Sequence, residues 1–257
     1  MTHSGTSSAA GKPISVLRPA ARVEELVESS FVEDLVIAAG HGKLNEDLAL
    51  LLLQRRDLSA QVLEALVRNH GVMKHRKVLA KVVQHPRTPR HLSLPMLRRL
   101  FVFELMRVAL EPTVAGDLKL VVEELLIAKL ETLSLGECIS LARRASTGVA
   151  GVLLLHQNRA VIEAALQNPR MTEAGIAKSL AKPEVPGVLL SMLIEHPKWS
   201  LRRELQIAIL RRCEATDPVV LQTAAKMTKT AILEVLKHVR LPEGREELLR
   251  TKLLGER

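Results

Sequence analysis

The stretch from Arg68 to Arg107 carries ten lysines and arginines against a single acid, Glu104, a local charge of +9 that equals the charge of the whole chain. Cations gathered this densely suit one kind of chemistry, the neutralisation of phosphates or carboxylates. Lys74, Lys77 and Lys81 are three and four residues apart, the interval that lines one face of a helix, and Arg76 lies among them. Arg87, Arg90, Arg98 and Arg99 follow in the next unit of chain. These eight form a candidate ridge for a DNA or RNA backbone, with an affinity that falls steeply in salt. Phe101 and Phe103 are the nearby aromatics and sit in an apolar run, so no stacking platform accompanies the ridge. An opposing reading pairs the ridge with the acidic segment Val23 to Val67, whose nine acids face three cations. On that reading the cations are surface groups folded beside their counter-charges.

Other residue types offer less. His70, His75, His85 and His91 lie in the basic stretch, but none of the neighbouring pairs has the i, i+4 spacing that puts two imidazoles on one helix face, and no carboxylate cluster accompanies them. No metal site and no cofactor is expected. Trp199, the single indole, stands beside Lys198, Arg202 and Arg203 with Glu204 as the nearest acid, a second candidate groove. Gly5 to Lys12 has five residues between its glycines and Pro13 after the lysine, which is not a phosphate loop. Ser146-Thr147-Gly148 reads as a turn between helices, not a nucleophile elbow. With no converging titratable groups, the chain is expected to be non-catalytic.

The elements that must position these residues all read as helices. Aliphatics repeat at three and four from Val23 to Ala39, before Gly40 and Gly42. Asn45 is placed to cap Glu46 to Gln54, and Ser59 to cap a helix through Val67. A helix is predicted from Met73 to Gln84, then Pro89 to Leu100 interrupted by Pro95, then Phe101 to Leu110. A long apolar helix runs from Pro112-Thr113 to about Leu130. Ser134 and Glu137 have capping-box spacing for a helix to Arg144. Thr147 to His156 and Arg159 to Gln167 form a pair hinged at Gln157-Asn158. Thr172 caps a helix to Ala181, Pro186 opens one to Glu195, and Ser200 caps Leu201 to Cys213. Asp217-Pro218 occupy N-cap and first-turn places. Helices from Thr228 to Val239 and Glu243 to Leu254 close the chain. A core with so few aromatics and so many unbranched aliphatics favours helix on helix.

A turn cue recurs through these helices. His85-Pro86-Arg87-Thr88, Asn168-Pro169-Arg170-Met171 and His196-Pro197-Lys198-Trp199 each give a polar residue, a proline and a cation. In such turns the residue before the proline is placed to hydrogen-bond local backbone. A period near 28 residues is the spacing of stacked helix pairs, none of which buries its apolar side alone. From about Arg68 to Arg212 the chain resembles HEAT-like and leucine-rich-variant helical repeats, on the Asn168-Pro169 and His196-Pro197 turns and the aliphatics that follow them. The resemblance implies an α-solenoid of about six helix pairs that binds other molecules and transfers no catalytic residue. Some leucine-rich-variant proteins hold an iron–sulfur cluster on clustered cysteines, which this chain lacks. HEAT-like DNA glycosylases use a tryptophan and an acid in a basic groove, so the resemblance also raises a base-excision reading for Trp199 and Glu204.

The expected organisation is a disordered tail at residues 1–20 and a single helical repeat domain at 21–257. Within that domain the helices are acidic over 21–67 and basic over 68–107, repeats run to about 227, and a cap covers 228–257. No apolar run approaches the roughly 20 residues that span a bilayer, so no membrane insertion is expected. Cys138 and Cys213 are far apart and each falls in a predicted helix, so both are expected to be buried, reduced thiols in a cytoplasmic protein. The function expected from the whole is an intracellular scaffold or adaptor that binds a protein partner. Nucleic-acid binding through residues 68–107 is the alternative.

Overall fold

The computed structural model describes residues 22–251, so the predicted tail at 1–20 and the last residues of the predicted terminal helix lie outside the described residues. Among the described residues the chain forms eighteen α-helices, one 3-10 turn and no strand. Contacts part it into two compact units. The first holds the described residues up to Val82 together with Arg87–Pro89, and the second holds Val83–Pro86 and the described residues from Arg90 onward.

The first unit is built from α1 (Val23–Glu28), α2 (Val32–Gly40), α3 (Glu46–Leu52), α4 (Ala60–Arg68), α5 (His70–Met73) and most of α6 (Arg76–Gln84). α1 packs on α2 and α3, α2 on α4, and α4 on α5. Asn45 caps α3 as its position predicts, with Oδ1 accepting from the Leu48 amide at 2.9 Å. Ser59 precedes α4, but its hydroxyl makes no cap bond and is buried without a partner.

The helix predicted from Met73 to Gln84 is split by a turn at Lys74 and His75. Tertiary bonds hold the chain on both sides of α5. Asn69, between α4 and α5, donates through Nδ2 to the Ala39 and His41 carbonyls at the end of α2, at 3.0 and 3.1 Å. The His75 Nδ1 atom is drawn to Glu46 Oε2 at 3.1 Å.

The second unit contains α7 (Arg90–Leu97), α8 (Val102–Leu110), α9 (Gly116–Lys129), α10 (Leu135–Arg144), α11 (Thr147–Leu153) and α12 (Arg159–Leu166). It continues with α13 (Glu173–Leu180), α14 (Gly187–Glu195), α15 (Arg203–Leu210), α16 (Asp217–Ala225), α17 (Lys229–His238) and α18 (Arg245–Leu249). Two series of contacts run through it. α9, α11, α13 and α15 pack one on the next, as do α10, α12, α14, α16 and α18. Neighbours in the chain tie the series together, as at α10–α11, α11–α12 and α15–α16. Leu141, Leu154, Ile162, Ile176, Leu189, Leu193 and Leu205 are almost wholly buried between them.

Local capping follows the sequence closely. Ser134 and Glu137 form the capping box, Thr172 accepts from the Gly175 amide, and Thr228 accepts from the Ala231 amide. Other details differ from the expectation. α9 starts at Gly116 because residues 111–114 form a turn, and Pro95 lies inside α7, which ends two residues later. α15 starts at Arg203, and the Ser200 carbonyl accepts from the Gln206 side chain at 2.9 Å. Thr216, not Asp217, is the N-cap of α16. Cys138 is buried in α10, and burial pushes its thiol up. Cys213, expected to be buried, is exposed, because α15 ends at Leu210, short of it.

Donors from later in the chain bind the carbonyls that helix ends leave open. In the second unit Asn168 reaches Ala142 and Ala145 at the end of α10, Trp199 reaches Leu166 at the end of α12, and Lys226 reaches Ile194 in α14. Arg245 reaches Leu210, Arg212 and Ala215 in the chain leaving α15. The last four carbonyls of a helix have no partner within it, so each such bond both completes a helix and fixes the next one against it.

Candidate interaction surfaces

The eight ridge cations are divided between the two units. Lys74, Arg76, Lys77, Lys81 and Arg87 belong to the first unit, and Arg90, Arg98 and Arg99 to the second. Lys77 and Lys81 are exposed one turn apart on α6, whereas Lys74 lies in the turn before that helix. Several of the eight already have acceptors. Glu46 in α3 holds Lys77 at 3.9 Å as well as His75. Arg87 donates to the Asp57 carbonyl at 3.3 Å, and Arg90 in α7 pairs with Asp117 in α9. Arg76 and Arg99 also have partners. The acidic helices of the first unit thus meet part of the basic stretch, while Lys74, Lys81 and Arg98 remain exposed.

The second predicted groove is closed. Trp199 is 3% exposed, and its indole N–H donates to the Leu166 carbonyl at 3.2 Å. The Lys198 ammonium lies 3.9 Å from the ring centre on its face. Arg202 precedes α15, Arg203 pairs with Glu234, and Glu204 is exposed in the first turn of α15. An indole enclosed in this way is not presented to a nucleobase.

His196 builds the turn that seats the indole. Its Nδ1 accepts from the Lys198 amide at 3.1 Å and, more weakly, from the Trp199 amide at 3.4 Å. Burial, and then the Lys198 charge, pull the imidazole below its ordinary pKa. A histidine depressed in the folded state binds its proton more readily when unfolded, so its contribution to stability is present above the ordinary histidine value and is lost as pH falls below it. Trp199 emission is therefore expected to change as the solution is acidified through that range. His196→Asn keeps an acceptor that does not titrate, and it should remove this component of the pH dependence.

A surface that the sequence did not single out lies on α9, α11 and α13. A groove of about 330 Å³ runs across these helices. Glu123 and Ile127 of α9 form one side, and Lys178 and Lys182 stand at the other. Val152 and Leu155 give it an apolar lining, and Gly148, Gly151 and Gly175 also border it. Those glycines reflect close helix approach. A Cβ on Gly175 would collide with Thr147, and one on Gly151 would stand 3.0 Å from the Ser179 hydroxyl. That hydroxyl donates to the Gly151 carbonyl at 2.8 Å, locking α13 onto α11. Glu123 is held at the edge by the Ser146 hydroxyl. Leu155 and Lys182 carry the surface on into a second recess of about 580 Å³, bordered at its far side by Glu214. The sequence signal was present in Gly148, Gly151 and Gly175, but glycines in a helical stretch read first as turn residues.

Among the described residues, no three His, Cys, Asp or Glu side chains are grouped to hold a metal ion, and no helix is long and apolar enough to cross a membrane. No family model matches the chain, and neither the curated proteins nor the solved structures give a match.

Proposed function

We propose that the chain is a non-catalytic, cytoplasmic α-solenoid scaffold that binds a protein partner on the face made by α9, α11 and α13. The observation that carries this reading is the packing of the second unit, where alternate helices from α9 to α18 rest one on the next, as the series α9–α11–α13–α15 and α10–α12–α14–α16–α18, and leave an open groove across successive helices. Repeated stacking of this kind produces extended binding surfaces in helical-repeat proteins. The resemblance of the proline turns to HEAT-like repeats supports the same architecture. The groove combines an apolar lining with a few charged groups at its sides, the composition of a protein-binding cleft.

A second reading, binding to a DNA or RNA backbone, draws on the exposed Lys74, Lys77 and Lys81 of the first unit. One pair of variants separates the two. Val152 lines the groove, and Val152→Arg is expected to abolish capture of the partner, while the triple variant K74E/K77E/K81E retains it. Fluorescence anisotropy of labelled duplex DNA and single-stranded RNA across a salt series is expected to show no binding at physiological ionic strength. Tight binding with a steep salt slope, lost in the triple variant, would reverse that assignment.

A further inference from the structure

The face that holds the groove also carries a shape able to fill it. α9 buries Leu118, Val122 and Leu126, yet Leu120 is 64% exposed and Ile127 37%. Leu120, Glu124 and Ile127 are four and three residues apart, so they form one aliphatic stripe with a carboxylate at its centre. Glu124 is exposed, as are Lys178 on α13 and Lys182 just after that helix. Exposed aliphatics flanking an acid thus lie beside an apolar floor flanked by two cations. A two-fold contact uses the same patch on both molecules, so the patch must contain both halves of the match. This one does.

We propose that the α9–α11–α13 face is a self-association surface on which α9 of a second copy lies in the groove. Leu120 and Ile127 rest on Val152 and Leu155 of the groove, and Glu124 meets Lys178 and Lys182. The reverse set of contacts forms at the same time across the two-fold axis. The aliphatics supply the buried contact, and the charges set its direction. This inference rests on the reading of the groove as a protein-binding site and names one occupant of it.

The test is sedimentation of the full chain over a rising concentration series. A concentration-dependent dimer is expected for the natural sequence. L120E/I127E should be monomeric. E124K alone and K178E/K182E alone should also be monomeric, because each places like charges together in both halves of its homodimer. Mixed one to one, however, E124K and K178E/K182E should form a heterodimer, since both of its charge contacts are then attractive. The substituted residues lie on the surface, and unchanged far-ultraviolet dichroism and Trp199 emission in each variant verify the fold.

A natural chain that stays monomeric throughout overturns the proposal, and so does a dimer that is indifferent to these substitutions or a mixture that fails to pair. Those results leave the reading of the groove as a partner site to its own test, Val152→Arg in partner capture. Loss of dimer in L120E/I127E together with heterodimer formation in the mixture supports it.

Discussion

Replacing Arg245 with methionine is expected to lower the stability of the folded chain by about 3 kcal/mol. Arg245 is 8% exposed, and its guanidinium donates to three carbonyls of the chain leaving α15. These are Leu210 at 2.9 Å, Arg212 at 2.5 Å and Ala215 at 2.7 Å. Gly244 stands at φ +74°, a left-handed conformation that favours glycine and brings the chain into α18 at Arg245. Burial pulls the guanidinium below its ordinary pKa, and the nearby Cys213 and Asp217 oppose that shift. The arginine stays charged because its partners, carbonyls at a helix end, carry partial negative charge. Methionine fills similar space but leaves three acceptors without this donor, and orphaned acceptors are costlier than a missing bond between exposed groups. Arg245→Lys keeps the charge but offers a compact ammonium in place of a planar fork, so it should recover only part of the loss. Urea denaturation followed by dichroism reads the magnitude. Hydrogen exchange should show α15, α16 and α18 losing protection before α10 to α12, because interactions in such packing run between neighbours. Unchanged denaturation of the methionine variant would remove the carbonyl bridge as a source of stability.

The bonds that matter most here were the least visible in sequence. Local signals were legible where a single turn of chain decides them. Asn45, Ser134, Thr172 and Thr228 cap their helices because a short polar side chain and an open amide lie within three residues. The same logic failed at Ser59 and Ser200, where packing around the residue, not the residue type, decides whether its hydroxyl reaches an amide. The spacing alone places Lys74 on one helix face with Lys77 and Lys81. The chain instead breaks at Lys74 and His75, where His75 pairs with Glu46 of α3. Periodicity carries no information on such distant acceptors. The groove was hidden for a related reason. Gly148, Gly151 and Gly175 acquire meaning only when α11 and α13 are placed side by side.

Replacing Asn168 with alanine is expected to cost about 3 kcal/mol, and Asn168→Asp more at neutral pH. Asn168 is 2% exposed, and its amide does two jobs. Oδ1 accepts from the Arg170 amide at 2.8 Å, which shapes the proline turn. Nδ2 donates to Ala142 and Ala145 at 2.8 and 3.0 Å, which ties that turn to the end of α10. Arg170 strengthens the tie by donating to the Arg144 carbonyl at 3.2 Å. His196 performs the first job in its own turn, accepting from the amide two residues on, while Trp199 supplies the bond across to the preceding helix. The shared sequence cue therefore marks a shared turn, with the link between successive helix pairs made by different donors. Aspartate isolates that link, since it preserves the acceptor for Arg170 and turns the donor into an anion facing two carbonyls. Such a carboxyl titrates above the usual carboxylate range in the folded state, so the variant gains stability relative to the natural chain as pH falls through that raised value. Denaturation of the two proteins at matched pH values is the measurement. A deficit that narrows on acidification identifies the Nδ2 donor as the tie between α10 and its neighbours. A deficit independent of pH would assign Asn168 to the turn alone.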